Sequence, residues 1–381
     1  MFVGREPEIE RITRALAQVA AGKPQAVFVT GEYGIGKSSL AGFIRFLAEK
    51  EYALLGAHVF LGGASTLEEV ATKTVEVFLR GGAFDPTWSE SVRNALAKYV
   101  GTQSLFGFEI HFDQLKADGP SLSRGFLPML NELFRRTHEH GTKGIVLILD
   151  EINGITSNPR WSHFIKALVD ENALARPPLP LLLMLCGVSE RLSDMIEHHR
   201  PVERIFDIAE INPMTSEEMR DFFTRAFASQ DMTISDEALE HLIFYSAGYP
   251  KIMHILGDAA FWIDKDGNVD EDDAFDAVLA AAEDVGRKFV DRQVLTALRS
   301  KDYRSILAKI GQIKLGREFH KSEIAGGLSD SERKKLNNFL QKMKKLGVLR
   351  SGDESGKYVF NSHLVRLYIR LNSAELSHGQ R

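Results

Sequence analysis

The chain has 381 residues, 44% of them hydrophobic and 26% charged, which is ordinary for globular proteins and leaves room for two or three cores. Its single cysteine, Cys186, excludes an intrachain disulfide, and its longest apolar stretch, 179–188, is interrupted by Pro180 and is about half a membrane span. The net charge of -5 hides an asymmetry: residues 295–381 carry 18 Lys/Arg against 8 Asp/Glu, so a module of +10 follows an acidic body of -15.

In chain order, the N-terminal Met1-Phe2-Val3-Gly4-Arg5-Glu6-Pro7 lacks the apolar core of a signal peptide, and a reducing cytoplasm is the expected location. Residues 26–30 are a short β-branched run that reads as a buried strand. Gly31-Glu32-Tyr33-Gly34-Ile35-Gly36-Lys37-Ser38 follows and fits the phosphate-loop pattern G-x-x-x-x-G-K-[ST]. Residues 39–47 then carry apolar side chains at helical spacing. A glycine-rich turn between strand and helix aims successive backbone N–H groups at one point, where the helix dipole adds positive charge. Gly31, Gly34, Ile35, Gly36, Lys37, Ser38 and Ser39 are therefore the candidates to surround phosphates. The pattern predicts that Lys37 reaches the β- and γ-phosphates and that Ser38 ligates Mg²⁺.

Further strands are predicted at 57–61, 144–149, 181–186 and 206–208, alternating with helical patterns at 66–78, 89–99 and 125–138, with a small hairpin near 106–112. Alternation of this kind predicts an α/β fold with a parallel sheet. The run Ile145-Val146-Leu147-Ile148-Leu149 ends in Asp150-Glu151. A carboxylate at the C-terminal end of a sheet strand can hold Mg²⁺, and the next one can polarise a water, so Asp150 is the predicted metal residue and Glu151 the predicted base. The alternative is a plain strand end that caps the next helix. Ser189, after the strand at 181–186, is placed to touch the γ-phosphate or the water; the rival reading is a helix N-cap. His138/His140 and His198/His199 lack partners at metal-ligand spacing and read as solvated.

After Pro213 the chain reads as helical. Thr215 and Glu218 form a capping box before a helix at 216–228, Ser235 caps one at 236–246, Gly248-Tyr249-Pro250 breaks it, a third runs 251–263, and Asp270-Glu271-Asp272-Asp273 opens a fourth. From about 300, helices at 302–313, 321–325 and 332–346 precede two strands, 347–351 and 357–360, joined by a Gly-rich turn. Three helices and a hairpin make a winged-helix arrangement. The predicted domains are thus 1–212 (α/β nucleotide-binding), 213–292 (helical lid) and 293–381 (winged helix). The third helix begins Glu332-Arg333-Lys334-Lys335 and ends Lys342-Met343-Lys344-Lys345, and Arg350 and Lys357 flank the wing. Salt-dependent, weakly sequence-specific contact with double-stranded DNA is the sharp reading, and a solubilising or protein-binding face the bland one.

Taken together these motifs resemble the AAA+ ATPases, in the branch of origin-recognition proteins, transposition-regulator ATPases and STAND-like archaeal ATPases. Four segments carry the resemblance: Phe2-Val3-Gly4-Arg5-Glu6, Gly31–Ser38, Ile145–Glu151 and Gly248-Tyr249-Pro250-Lys251. It implies that the backbone at Val3 and Gly4 flanks adenine, that Pro250 and Lys251 form the sensor-2 motif, with Lys251 near the γ-phosphate, and that ATP and Mg²⁺ are the cofactors. An ordinary helix break is the alternative for the sensor-2 segment. The resemblance also implies a homo-oligomer in which a neighbour donates an arginine. Arg204 fits that place best and Arg200 second; the alternative is a surface arginine paired with Glu203 or Asp207. Relatives usually carry arginine where this chain has Lys251, and lysine loses bidentate geometry, which implies slow hydrolysis and a switch rather than a motor. Two roles follow: an ATPase that assembles on DNA, initiator-, loader- or transposition-regulator-like, or a signalling or defence ATPase whose nucleotide state switches a protein partner.

Overall fold

The computed structural model describes residues 2–81, 119–313 and 318–378. It divides into two compact units, Met1–Asn212 and Pro213–Arg381. The helix expected at 89–99 and the hairpin expected near 106–112 lie outside the described residues.

The first unit is built on one parallel sheet. Its strands are β1 (Gln25–Gly31), β2 (Leu54–Phe60), β3 (Gly144–Asp150), β4 (Leu181–Gly187) and β5 (Asp207–Ile211), in spatial order β2-β3-β4-β1-β5. β3 and β4 are buried along their whole length, which is why their sequences are continuous apolar runs rather than alternating ones. Two strand boundaries depart from the sequence reading. β2 starts at Leu54 because it pairs with β3 from Leu54↔Gly144 to Phe60↔Asp150, and β5 extends to Ile211, opposite Gly31. Pairing with a neighbour overrides the local pattern here.

The helices are α1 (Glu6–Ala20), α2 (Lys37–Glu51), α3 (Leu67–Gly81), α4 (Gly119–His138), α5 (Pro159–Leu174) and α6 (Ser189–His198). On one face of the sheet Phe28, Leu147, Leu149, Leu183 and Leu185 pack with Val75 and Phe78 of α3, Leu130 and Leu133 of α4, and Trp161, Phe164 and Leu168 of α5. Each such buried side chain contributes about 1.5–3 kcal/mol. Residues of opposite parity, among them Val27, Val29, Ile148 and Met184, face the other side, where α1 and α2 lie against the sheet. Ile12, Leu16 and Val19 form the buried stripe of α1, a helix the sequence reading did not single out.

In the second unit, α7 (Ser216–Ala228) opens with the expected capping box of Thr215 and Glu218, and α8 (Asp236–Ser246) is capped by Ser235. α9 (Pro250–Ile263) and α10 (Glu271–Gly286) follow, with the two-residue strands β6 (Thr233–Ile234) and β7 (Asn268–Val269) paired beside them. Their core holds Phe223, Leu242, Met253, Ala277 and Leu364. A π-helical segment, Arg287–Leu295, continues α10, and the boundary expected at 292/293 falls inside it. Beyond it come α11 (Lys301–Gln312), β8 (Glu318–His320), α12 (Lys321–Ala325), α13 (Asp330–Lys345), β9 (Leu349–Ser351) and β10 (Lys357–Phe360). The strands form an antiparallel sheet ordered β8-β10-β9; β8 is absent from the sequence reading because three residues are too short to show a period. Ile306, Phe339, Leu340 and Phe360 make the core of this part. α14 (His363–Leu371) gives Leu364 to the first of these cores and Ile369 to the second.

Candidate functional site: the C-terminal edge of the sheet

Parallel register brings Gly31, Phe60, Asp150, Gly187 and Ile211 to one edge of the sheet. The glycine-rich loop rises from that edge between β1 and α2. Gly31, Gly34 and Gly36 all have positive φ, at 153°, 77° and 101°. A Cβ at Gly31 would also stand 2.7 Å from the Ile211 carbonyl oxygen, so glycine is required there by the neighbouring strand as well as by the turn. Ile35 is buried and anchors the loop, while Ser39 faces solvent in the first turn of α2.

The Lys37 ammonium donates to the carbonyl oxygens of Gly31 and Glu32, both at 2.8 Å, and lies 5.8 Å from the centre of the Tyr33 ring. Burial pushes Lys37 below its ordinary pKa, and Cys186, Asp150 and Glu32 pull the other way. Asp150, at 1% exposure, receives three hydrogen bonds: from His58 at 3.0 Å, from the Ser38 hydroxyl, and from the Glu151 N–H at 2.8 Å. Burial alone would raise the Asp150 carboxyl. Those bonds outweigh it and hold the group below its ordinary value. Ser38 and Asp150 are thus in direct contact, one hydroxyl and one carboxylate, both hard oxygen donors.

Glu151 has φ of 55°, the left-handed region that non-glycine residues seldom occupy. The sharp turn sends its side chain over the segment after β2. A Cβ on Gly62 would come within 2.4 Å of Glu151 Oε2. That segment is fastened to β3 by the Leu61 N–H, which donates to the Asp150 carbonyl at 2.8 Å.

Ser189 stands at the end of β4, and its hydroxyl is 3.0 Å from the hydroxyl of Thr30, the residue before Gly31. It is the first residue of α6 rather than its cap; Val188 occupies the cap position and no side chain caps that helix. Lys37, Ser38, Asp150, Glu151, Thr30 and Ser189 are therefore gathered around one strand edge.

Arg204 and Arg200 bound a short 3₁₀ turn before β5 and are exposed. Neither has a hydrogen-bond or ion-pair partner among the described residues. Asp207, one of the suggested partners of Arg204, is instead held by Arg11 of α1 at 2.9 Å. Pro250 and Lys251 lie in the second unit, at the start of α9, with Lys251 exposed.

Two residues here carry no signal in the sequence reading. His58 is a lone histidine on a strand, without a motif around it. Arg5 belongs to a quoted segment, but only for the backbone of its neighbours Val3 and Gly4. Its guanidinium is buried and donates to the carbonyl oxygens of Ile35, at 3.0 Å, and of Asn212. Gly4 and Arg5 both have positive φ, at 71° and 67°, and that double turn points Arg5 into the phosphate loop.

Residues 1–185 match the family of AAA ATPase domains. The fold is similar to that of the ORC2 protein of Aeropyrum pernix, solved as ADPNP–ADP complexes, at a TM-score of 0.60 and 17% identity over 98% of this chain and 94% of that one. It is also similar to the Walker-type ATPase PABY2304 of Pyrococcus abyssi, at a TM-score of 0.55 and 18% identity over 97% of this chain and 96% of that one. None of the curated proteins compared matches the chain. The first unit has the parallel sheet of a P-loop ATPase of the AAA+ type, and the match over residues 1–185 supports ATPase activity. No helix of the described residues is long and apolar enough to cross a membrane.

Proposed function

We propose that this ATPase acts on double-stranded DNA, assembling on it as a homo-oligomer when ATP is bound, in the manner of an initiator, loader or transposition regulator. In this reading residues 213–292 are a helical lid and 293–381 a winged helix whose α13 meets the duplex. The observation that carries it is the charge of α13 and the strands beside it. Lys334, Lys345 and Arg350 are exposed and have no partner among the described residues. They stand off the buried stripe of Leu336, Phe339, Leu340 and Met343. Exposed cations on a helix, Lys334 and Lys345, and on the strand beside it, Arg350, suit a phosphate backbone.

At the nucleotide, Ser38 and Asp150 are the residues that would hold Mg²⁺, since their contact offers the hard oxygen donors it prefers. Bound there, the ion would neutralise charge on the β- and γ-phosphates. Lys37 supplies a second positive charge, Glu151 orients and polarises the attacking water, and Ser189 positions that water beside Thr30. Val3 and Gly4 would border the base, and Pro250 and Lys251 are the proposed sensor-2 residues. Lys251, a point charge where relatives carry a bidentate arginine, makes hydrolysis slow. Arg204 would complete a neighbour's site.

One observation favours the second reading, a signalling ATPase that switches a protein partner. Part of the basic surface is spent internally: Lys335 pairs with Asp302 and Lys357 with Glu318, both at 2.6 Å, and Lys344 donates to Ser351 at 2.7 Å. Sizing of the full chain with ADP, with ATP and with ATP plus duplex DNA separates the two. Growth of the particle with ATP and again with duplex is the expected result. A particle that responds to nucleotide and never to duplex would favour the switch.

A further inference from the structure

The second unit contains a cleft of about 610 Å³ between the π-helical segment, the start of α11 and the C-terminal half of α13. Its walls include Arg292, Thr296, Arg299, Ser300, Tyr303 and Lys342. None of its lining residues is acidic. The carboxylates next to it in sequence are occupied: Asp291 accepts from the Tyr368 hydroxyl at 2.9 Å, and Asp302 is held by Lys335 and Ser331.

The three cations differ from others nearby. Arg287 and Lys288, one turn upstream, pair with Glu283 and Asp284 four residues before them. The residue four before Arg292 is Lys288, a like charge. The side chains of Arg292, Arg299 and Lys342 have no ion pair or hydrogen bond among the described residues. Ser300 is the cap residue of α11, yet its side chain makes no capping bond. The helix N-terminus there presents N–H groups and partial positive charge to the same space. The wall that carries Arg292 is π-helical, a geometry often kept at functional sites.

We infer that this cleft binds phosphate groups. Three cations lining one cleft, a helix N-terminus and the Thr296 and Ser300 hydroxyls fit a doubly or multiply charged phosphate ligand, either a nucleic-acid backbone or a free polyphosphate. The backbone is the favoured source because Lys342 shares α13 with Lys334 and Lys345, and that choice rests on the DNA reading above. The phosphate chemistry itself does not.

The test uses the full chain carrying Lys37→Ala, which silences the phosphate loop, with and without Arg292→Gln, Arg299→Gln and Lys342→Gln. Tripolyphosphate binding is followed by calorimetry and duplex binding by anisotropy across a salt titration. If the backbone is the ligand, the three substitutions lower the log–log salt slope by about two to three, since each phosphate contact contributes about 0.9. If a free polyphosphate is the ligand, tripolyphosphate binding weakens about tenfold or more. Loss in either arm supports the site; both arms unchanged, or a parent that binds neither probe, overturns it. A chain with Lys334→Glu and Lys345→Glu serves as the comparison. If that chain binds duplex normally while the cleft variant does not, the reading of α13 fails and the cleft stands. If only that chain loses duplex binding and the cleft variant also keeps tripolyphosphate binding, the cleft fails alone. Arg299→Gln by itself, at an exposed position between helices, repeats both arms should the triple variant melt early.

Discussion

His58 Nε2 lies 3.0 Å from Asp150 Oδ2, and the two side chains are 8% and 2% exposed. They are diagonal neighbours: His58 sits opposite Ile148 on β3, and Asp150 sits opposite Phe60 on β2. The Phe60 ring stacks on His58 with centroids 4.4 Å apart and fixes its plane. A histidine so placed orients the carboxylate that would hold the metal. His58→Ala is expected to raise the Mg²⁺ concentration needed for half-maximal hydrolysis by about 10–100-fold, the usual effect of removing such a partner. His58→Asn, which keeps a donor, should recover part of it. A Mg²⁺ titration of phosphate release checks this, and an unshifted midpoint in both variants would leave His58 a packing residue.

Lys37 and Glu151 should separate binding from chemistry. On this reading Lys37→Ala would remove two charge-assisted contacts to phosphate, each about 1.5–3 kcal/mol, and should lower ATP affinity by about a hundredfold or more. Glu151→Gln should bind ATP as the parent does and lose most hydrolysis, because an amide does not polarise water as a carboxylate does. Calorimetry and phosphate release read the two effects independently. Unchanged ATP affinity in the lysine variant would remove the loop from the site.

Arg204 tests assembly. If it acts in trans, specific activity should rise with protein concentration, and Arg204→Ala should cost about 10³-fold or more in hydrolysis. Mixing Arg204→Ala chains with Lys37→Ala chains should restore some activity, since one interface then keeps a good loop and a good arginine. Activity independent of concentration, with no complementation, would leave Arg204 a surface residue.

Glu332 gives a pH signature in the second unit. It is buried, and burial would raise its carboxyl, but bonds from Lys309, Ser305 and the Ser329 N–H and hydroxyl bring it down to about 2 from the ordinary 4.5. A depressed carboxylate contributes stability that is complete above its unfolded pKa and is lost as pH falls through the folded one. Glu332→Gln should therefore destabilise the chain near neutrality by about 1–3 kcal/mol. Its deficit against the parent should shrink as pH drops from about 4.5 toward 2. Melting curves of both proteins across that window decide it; a deficit that does not vary with pH would mean that packing, not charge, is what the substitution removes.

The phosphate loop and the end of β3 were legible because each couples a local composition to a strand of unbroken apolar residues. The part that was not legible depends on contacts between distant positions. Arg5 acquires its role only through a left-handed turn that aims it at Ile35 and Asn212. His58 needs β2 and β3 in register before it meets Asp150. Charge counting assigned Lys335 to a free basic face, whereas Asp302, at the start of α11, neutralises it. The same long-range pairing moved the ends of β2 and β5 by a few residues.

The order of the sheet also bears on how the protein is made. β1 has two neighbours, β4 and β5, and Phe28 is paired with Leu185 on one side and Ile208 on the other. A chain growing from its N-terminus therefore carries the whole Gly31–Ser38 string long before any strand exists to brace it. Both edges of β1 stay open until residues 181–187 and 207–211 have emerged. Pairing over such separations is slow, and open strand edges invite association with other chains. A loop synthesised early is thus among the last parts of the unit to become competent, and a ribosome that stops before β4 releases a sticky fragment rather than a small ATPase.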